Sequence, residues 1–212
     1  MVLNSRTIPS RKDILSHFDK NDLIMAQVIR QFGPMKLKRN RNYFAVLCKA
    51  IIAQQISVAA ADAITTRFHA LFKGSSPTPQ GLIKLLNTTL QGVGLSRQKV
   101  AYLKDLSFHF YEKKIRPHRL SYLDNEEVIQ QLTAVYGIGR WTAEMFLIFS
   151  LNRPDVLPVG DLGLQLALKK LYGMRQLPTV KRMQALGRKW HPLETVATWY
   201  AWRVQDDKII AY

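Results

Sequence analysis

Apolar positions along this chain recur mostly three and four residues apart, the spacing of a helix with one buried face. Leu23, Ile24, Ala26, Val28 and Ile29 form the first such run and predict a helix that Gly33-Pro34 stops. The residues before it carry scattered charges and one proline and give no comparable signal. Met35-Lys-Leu-Lys-Arg-Asn-Arg41 is a basic linker, readable as a solvated loop or as a phosphate-binding segment. Residues 43–72 are apolar-periodic and rich in alanine, which predicts two helices around the polar interruption Gln54-Gln55-Ile56-Ser57, with Ser57 as N-cap of the second. The turn-rich Lys73-Gly-Ser-Ser-Pro-Thr-Pro79 follows, then a short helix over Gly81-Leu-Ile-Lys-Leu-Leu86 that ends before Gly92-Val-Gly94. Ser96 suits the cap of a helix over 97–111.

Asp124-Asn-Glu-Glu127 predicts another helix start, with its acids at the end that the helix dipole favours, running through Leu132 and Tyr136. Gly137-Ile138-Gly139 interrupts it. Further helices are predicted over 141–151, 161–172, 179–188 and 195–204, the first two separated by Asn152-Arg-Pro154 and Pro158. Sustained alternation of period two and Asn-Gly hairpin turns are both lacking, so strands are not expected. The expected fold is all-α, about ten helices in two lobes. The approximate lobes are 43–135 and 136–212, with the N-terminal segment 1–42 packing on the C-terminal lobe.

Composition narrows the partners. A chain of 212 residues, 47% hydrophobic, is large enough to bury a core, which argues against disorder. Its 31 Lys+Arg against 15 Asp+Glu leave a formal charge of +16. That surplus favours a polyanion, because each cation that neutralises a phosphate releases condensed counterions. The single cysteine, Cys48, excludes an intramolecular disulfide, a four-cysteine zinc site and a four-cysteine iron-sulfur cluster. Any metal chemistry would fall to carboxylates and the five histidines. No apolar run approaches the roughly 20 residues needed to span a bilayer, and the start lacks signal-peptide order, so a soluble intracellular protein is expected.

The most specific segment is Leu132-Thr-Ala-Val-Tyr-Gly137-Ile-Gly139-Arg-Trp141-Thr-Ala-Glu-Met-Phe146. A tight Gly-X-Gly turn between two helices offers outward backbone N–H groups to a phosphate, and the missing side chains let it approach. An ordinary interhelical turn uses glycine in the same way. An apolar helix follows, then Asn152-Arg-Pro-Asp-Val-Leu-Pro158-Val-Gly-Asp161-Leu-Gly163, a proline-broken loop that delivers one carboxylate to a helix start. Asp161 is either a reactive group or simply the N-cap of the helix from Leu162. Asp155, inside an Asn-Arg-Pro-Asp turn, reads as structural.

In this order of motifs the chain resembles the helix-hairpin-helix DNA glycosylase superfamily, and within it the alkylbase (3-methyladenine) DNA glycosylases, from about Tyr43 to Trp202. Three segments carry the resemblance: Ile51-Ile-Ala-Gln54-Gln55-Ile-Ser57 with Ala59-Ala60-Ala61 after it, Gly94-Leu-Ser-Arg-Gln-Lys99, and the hairpin followed by Pro158-Val-Gly-Asp161-Leu-Gly163. It implies an active-site cleft between the lobes and an enzyme of base excision repair. Such an enzyme flips a damaged nucleotide out of duplex DNA, hydrolyses its N-glycosidic bond and leaves an abasic site. Asp161 matches the family's catalytic aspartate, which would stabilise an oxocarbenium-like sugar and orient or deprotonate the attacking water. Strand-cutting relatives carry a Schiff-base lysine two residues after the second hairpin glycine; here that position is Trp141, which implies a monofunctional hydrolase.

Further site residues follow from the same resemblance. Trp141 and, one turn on, Met145 would line the base pocket, where an aromatic face attracts cationic bases such as 3-methyladenine and 7-methylguanine; as plain core they would need no such role. Gln54, Gln55 and Ser57 would lie near the pocket and the DNA, or form only a solvated turn and a cap. Gly137, Gly139, Arg140 and Thr142 would grip the DNA backbone. The turn holding Leu95, Arg97 and Lys99 matches the region that wedges into the gap left by a flipped base, with Leu95 and Arg97 both eligible. The chain departs from the family at Trp190-His-Pro192-Leu193-Glu194-Thr195-Val-Ala197, where alkylbase members commonly show an aromatic residue and an arginine in place of Leu193 and Glu194. No cofactor or side-chain metal site is expected, beyond a structural monovalent cation that backbone carbonyls of the hairpin can hold. The expected partner of this monomer is double-stranded DNA containing damaged bases, with no membrane, in the cytoplasm of a prokaryote or the nucleus of a eukaryote. Two alternatives remain, a non-catalytic DNA-binding module and a glycosylase-lyase that uses Lys99 or Lys169.

Overall fold

Twelve helices and no strand are found among residues 8–205, the part of the chain that the computed structural model describes. In order they are α1 (Arg11–Asn21), α2 (Leu23–Phe32), α3 (Tyr43–Ala53), α4 (Val58–Ala70), α5 (Pro79–Lys84), α6 (Asn87–Gly92), α7 (Arg97–Tyr111), α8 (Asn125–Thr133), α9 (Arg140–Phe149), α10 (Leu162–Leu171), α11 (Val180–Trp190) and α12 (Glu194–Gln205). Short polar residues start most of them. Ser57, Ser96, Asp124 and Thr179 each accept a backbone N–H three residues on, satisfying a donor that the first helical turn leaves without a partner.

Two helices exceed the sequence expectation. In α1 only Ile14 and Phe18 are buried, so its apolar stripe is one residue wide and drowned by charge. In α6 a single side chain, Leu90, is buried, and the residue before the helix makes no side-chain cap. The predicted run to Tyr136 is also shortened, since α8 stops at Thr133 and Tyr136 lies in the following turn.

The chain divides into two compact units, the first made of residues up to Arg39 together with those from Leu147 on. Within it α2 and α10 both pack on α12, and α1 packs on α2 and α11. Its core includes Phe18, Met25, Ile29, Leu164, Leu168, Met183, Trp190 and Tyr200. One carboxylate organises the polar side of this core. Asp22 Oδ1 accepts from the Met25 N–H at 3.2 Å, and Oδ2 accepts from Tyr172 Oη at 2.5 Å and from Trp190 Nε1 at 2.9 Å. Burial, and then the hydrogen bond to Asp22, push the Tyr172 hydroxyl well above the usual phenol range, so it remains a donor at any physiological pH.

The second unit runs from Asn40 to Phe146 and packs α3 against α4 and α7, and α7 against α5 and α6. Phe44 meets Phe110 and Tyr43 meets Phe146, each edge to face with centroids 5.2 Å apart. Lys104 Nζ donates to the carbonyls of Leu82, Ile83 and Leu85, closing the C-terminal end of α5. The division between units falls within α9, after Phe146, rather than before the hairpin at 136. The reason is local: Tyr43, Gln54 and Glu126 hold Phe146, Gly137 and Arg140 to the second unit. Residues 40–42 of the N-terminal segment also belong there, with Asn42 capping α3.

Replacing Asp22 by alanine removes a helix cap and strands the buried Trp190 N–H and the half-buried Tyr172 hydroxyl, so the variant should lose about 3 kcal/mol of unfolding free energy in chemical denaturation.

Candidate functional site

Asp161 stands at the end of the proline-broken loop, where its N–H donates to the Pro158 carbonyl at 3.0 Å and closes the turn that presents it. The residue is 9% exposed and one of its carboxylate oxygens does two things. Oδ1 accepts from the Leu164 N–H at 2.6 Å, the N-cap bond of α10, and from Trp202 Nε1 at 2.8 Å. The cap reading and the functional reading are thus compatible, since the capped carboxylate is also gripped by an indole from another helix. Trp202 is itself held flat against Phe149, with ring centroids 6.0 Å apart and planes 13° from parallel. Gly163 leaves room for this grip: a Cβ there would lie 3.3 Å from Asp161 Oδ1 and 3.6 Å from Trp202 Cδ1.

The loop that leads to Asp161 is pinned at its start by Thr195, in the first turn of α12. Thr195 Oγ1 donates to the Arg153 carbonyl at 2.6 Å and accepts from the Val156 N–H at 3.0 Å, while the Thr195 N–H donates to the Pro154 carbonyl at 2.8 Å. Helix α12 therefore secures the Asp161 loop through Thr195 and the Asp161 carboxylate through Trp202. Neither residue stood out in the sequence, because their partners lie about forty positions away and no periodicity links them. At the departure from the family motif, Leu193 is core and Glu194 is buried. Glu194 Oε1 meets His191 Nδ1 at 2.9 Å, yet burial raises the carboxyl above its ordinary range despite that pair.

The hairpin is built in the second unit. Gly137 has φ +85°, and a Cβ on it would fall 2.2 to 2.5 Å from the Tyr102 ring, so both conformation and space demand glycine. Gly139 differs: its φ is ordinary, and a Cβ there would meet nothing within 4 Å. An anion approaching the first turn of α9 would therefore meet no side chain at 139. Gln54 Nε2 donates to the Gly137 carbonyl at 2.9 Å, which ties the end of α3 to the turn. The Tyr136 N–H donates to Asp105 Oδ2 at 2.7 Å, and the Tyr136 ring meets Tyr102 edge to face.

The other expected site residues divide by exposure. Trp141 is 38% exposed, so it is not a core tryptophan, whereas Met145 is 5% exposed and fills the core. Gln55 is exposed at φ +56°, and Ser57 is exposed and caps α4. Leu95 is 4% exposed and belongs to the core, so of the two wedge candidates only Arg97 stands at the surface. Lys99 Nζ donates to the Ile52 carbonyl at 2.7 Å and burial lowers its pKa, so it caps α3 rather than facing outward. Arg140 is likewise engaged: it holds Glu126 through two bonds of 3.0 and 2.5 Å and Glu144 through one of 3.0 Å. Thr142 is buried, and Gly94, at φ +102°, lies against Ile64 and Arg67. Among the described residues no group of three or more His, Cys, Asp or Glu side chains is placed to hold a metal ion.

Two helices joined through a glycine turn, α8 and α9, form a helix-hairpin-helix motif, and a buried carboxylate follows at the start of α10. The chain matches the HhH-GPD superfamily of base excision DNA repair proteins over residues 48–192, and it belongs to that family. Similar proteins include DNA-3-methyladenine glycosylase 1 of Schizosaccharomyces pombe, 32% identical over 89% of this chain and 84% of that one. Among solved structures, the DNA-3-methyladenine glycosidase of Bacillus halodurans is 36% identical with a TM-score of 0.85, over 97% of this chain and 93% of that one. The Schizosaccharomyces pombe 3-methyladenine DNA glycosylase in complex with abasic DNA is 30% identical with a TM-score of 0.78, over 94% and 98% of the two chains.

Gly137→Ala should lose more than about 3 kcal/mol of stability through clash and backbone strain, while Gly139→Ala should stay within about 0.5 kcal/mol of the wild type, both read by chemical denaturation. Thr195→Val keeps the shape but leaves the Val156 N–H and the Arg153 carbonyl without their partner, and should cost about 2 kcal/mol, with Thr195→Ser recovering most of it.

Proposed function

We propose that this protein is a monofunctional DNA glycosylase that releases alkylated purines, such as 3-methyladenine and 7-methylguanine, from double-stranded DNA and leaves an abasic site. The observation that carries the reading is the double grip on Asp161 Oδ1 by Leu164 N–H and Trp202 Nε1, in a chain of this family. A cap for α10 needs only the first of these bonds. The second holds the carboxylate in one orientation before substrate arrives, so no rearrangement is required as charge develops.

The chemistry follows from the leaving group. An alkylated purine still joined to its sugar is cationic, and bond cleavage moves that positive charge onto the sugar ring. A carboxylate beside the ring stabilises the oxocarbenium-like state, and Asp161 can also take a proton from the water that attacks it. The base leaves neutral, which reduces the need for a general acid. Trp141, partly exposed at the start of α9, offers an aromatic face that favours a flat cation. It carries no amine, so the hairpin supplies no Schiff-base nucleophile. Lys99, one of the two lysines eligible to replace one, is committed to the Ile52 carbonyl.

The hairpin would take a DNA phosphate on the first turn of α9, with Gly139 allowing close approach. Hydrolysis itself takes no cofactor in this reading. A structural monovalent cation at the hairpin would rest on backbone carbonyls, of which that of Gly137 already accepts from Gln54. The protein acts as a monomer, in the compartment that holds the DNA.

Release of free bases from methylated duplex DNA, separated by chromatography, tests the reading. The wild type should release 3-methyladenine or 7-methylguanine, and Asp161→Asn should be slower by about 100-fold or more while still binding abasic DNA. Equal release by the two proteins refutes the role of Asp161. Borohydride should trap no covalent protein–DNA adduct, and a trapped adduct would move the assignment to a glycosylase-lyase.

A further inference from the structure

Between Asp161 and Glu194 the chain carries seven Lys or Arg residues and no acid: Lys169, Lys170, Arg175, Lys181, Arg182, Arg188 and Lys189. Helix α11 sorts its four by face. Met183, Leu186, Gly187 and Trp190 are buried, whereas Lys181, Arg182, Arg188 and Lys189 are exposed. Lys181 and Arg188 are seven residues apart, as are Arg182 and Lys189, so the four form two parallel rows two turns long on one side of the helix.

Such a face would be unremarkable if neighbouring carboxylates neutralised it, and among the described residues they do not. Among the described residues none of these four side chains forms an ion pair. Helices α1 and α12 pack on α11. On α1 and at its end, Asp13 accepts from Ser10 Oγ, Asp19 pairs with Arg30 at 2.5 Å, and Asp22 accepts from Tyr172 and Trp190. On α12, Glu194 is buried against His191. Like charges held together without counter-charges raise the energy of the isolated protein, and an external polyanion relieves that cost.

We propose that the basic face of α11 is a second contact surface for the DNA phosphate backbone, on an element distinct from the hairpin. A regular polyanion suits two rows of cations on one side of a rigid helix, because each neutralised phosphate releases counterions whichever base it carries. The surface binds DNA without reading sequence or damage, and it adds affinity for the duplex rather than chemistry. This inference rests on the glycosylase reading for its choice of partner, and its test separates the two.

The experiment measures binding of the full chain to a short undamaged duplex by fluorescence anisotropy, between about 50 and 200 mM salt. The variant combines Lys181→Gln, Arg182→Gln, Arg188→Gln and Lys189→Gln. A charge-matched control combines Lys73→Gln, Lys84→Gln, Lys113→Gln and Lys114→Gln, all exposed in the other unit. The slope of log affinity against log salt should become shallower by about 2 to 4 in the α11 variant, about 0.9 for each phosphate no longer neutralised, and hold in the control. Single-turnover base release at saturating enzyme should match the wild type, since α11 carries none of the groups on Asp161. An unchanged slope overturns the proposal and leaves this face to an acidic protein partner. An equal change in the control assigns the effect to net charge and overturns it as well. Absence of base release from the wild type would defeat the glycosylase reading alone, while the slopes would still decide whether α11 meets DNA.

Discussion

A single carboxylate oxygen, Oδ1 of Asp161, receives both the first-turn amide of α10 and the indole N–H of Trp202. Much else in the first unit is arranged so that these two donors can meet there. Gly163 keeps the approach open, Phe149 holds the indole by stacking, and Thr195 fixes the loop that brings Asp161 to its place. Exposed carboxylates at helix starts rotate among several partners, and a buried one with two donors does not. Orientation is therefore set by folding, which is the condition for electrostatic help that costs nothing at the moment of reaction.

The hairpin solves a different problem, that of presenting backbone rather than side chain. Gly137 and Gly139 differ in their surroundings: the first has no room for a side chain and a positive φ, and the second faces open space. Several residues around them brace the turn. Arg140 is held by Glu126 and Glu144, Gln54 holds the Gly137 carbonyl, and Lys99 closes α3. These charges take part in the packing of the hairpin as well as lying near its surface.

Much of this was legible in the sequence. Helices α3, α4, α7 and α10 could be placed from apolar spacing and the capping residues Ser57, Ser96 and Asp161, because both signals are local. Helix α1 escaped because its buried face is only Ile14 and Phe18, and α6 because one buried leucine makes no period. At the site, Asp161 and the glycine turn stood out, whereas Trp202 and Thr195 did not, since a bond across about forty residues leaves no trace in spacing. Leu95 and Lys99 show a different case. Their positions matched a motif, but only three-dimensional packing decides that a leucine is enclosed and a lysine turned to the Ile52 carbonyl.

The Tyr102 ring fills the volume where residue 137 would carry its first side-chain carbon. The two positions are consequently not independent in descent. A lineage that exchanged Gly137 for asparagine, the residue best able to bear that backbone conformation, would still meet the ring, and one that shortened Tyr102 alone would open a gap beneath the turn. A side chain at residue 137 therefore requires Tyr102 to have changed first, whereas a change at Tyr102 costs packing alone, so the two substitutions have a fixed order.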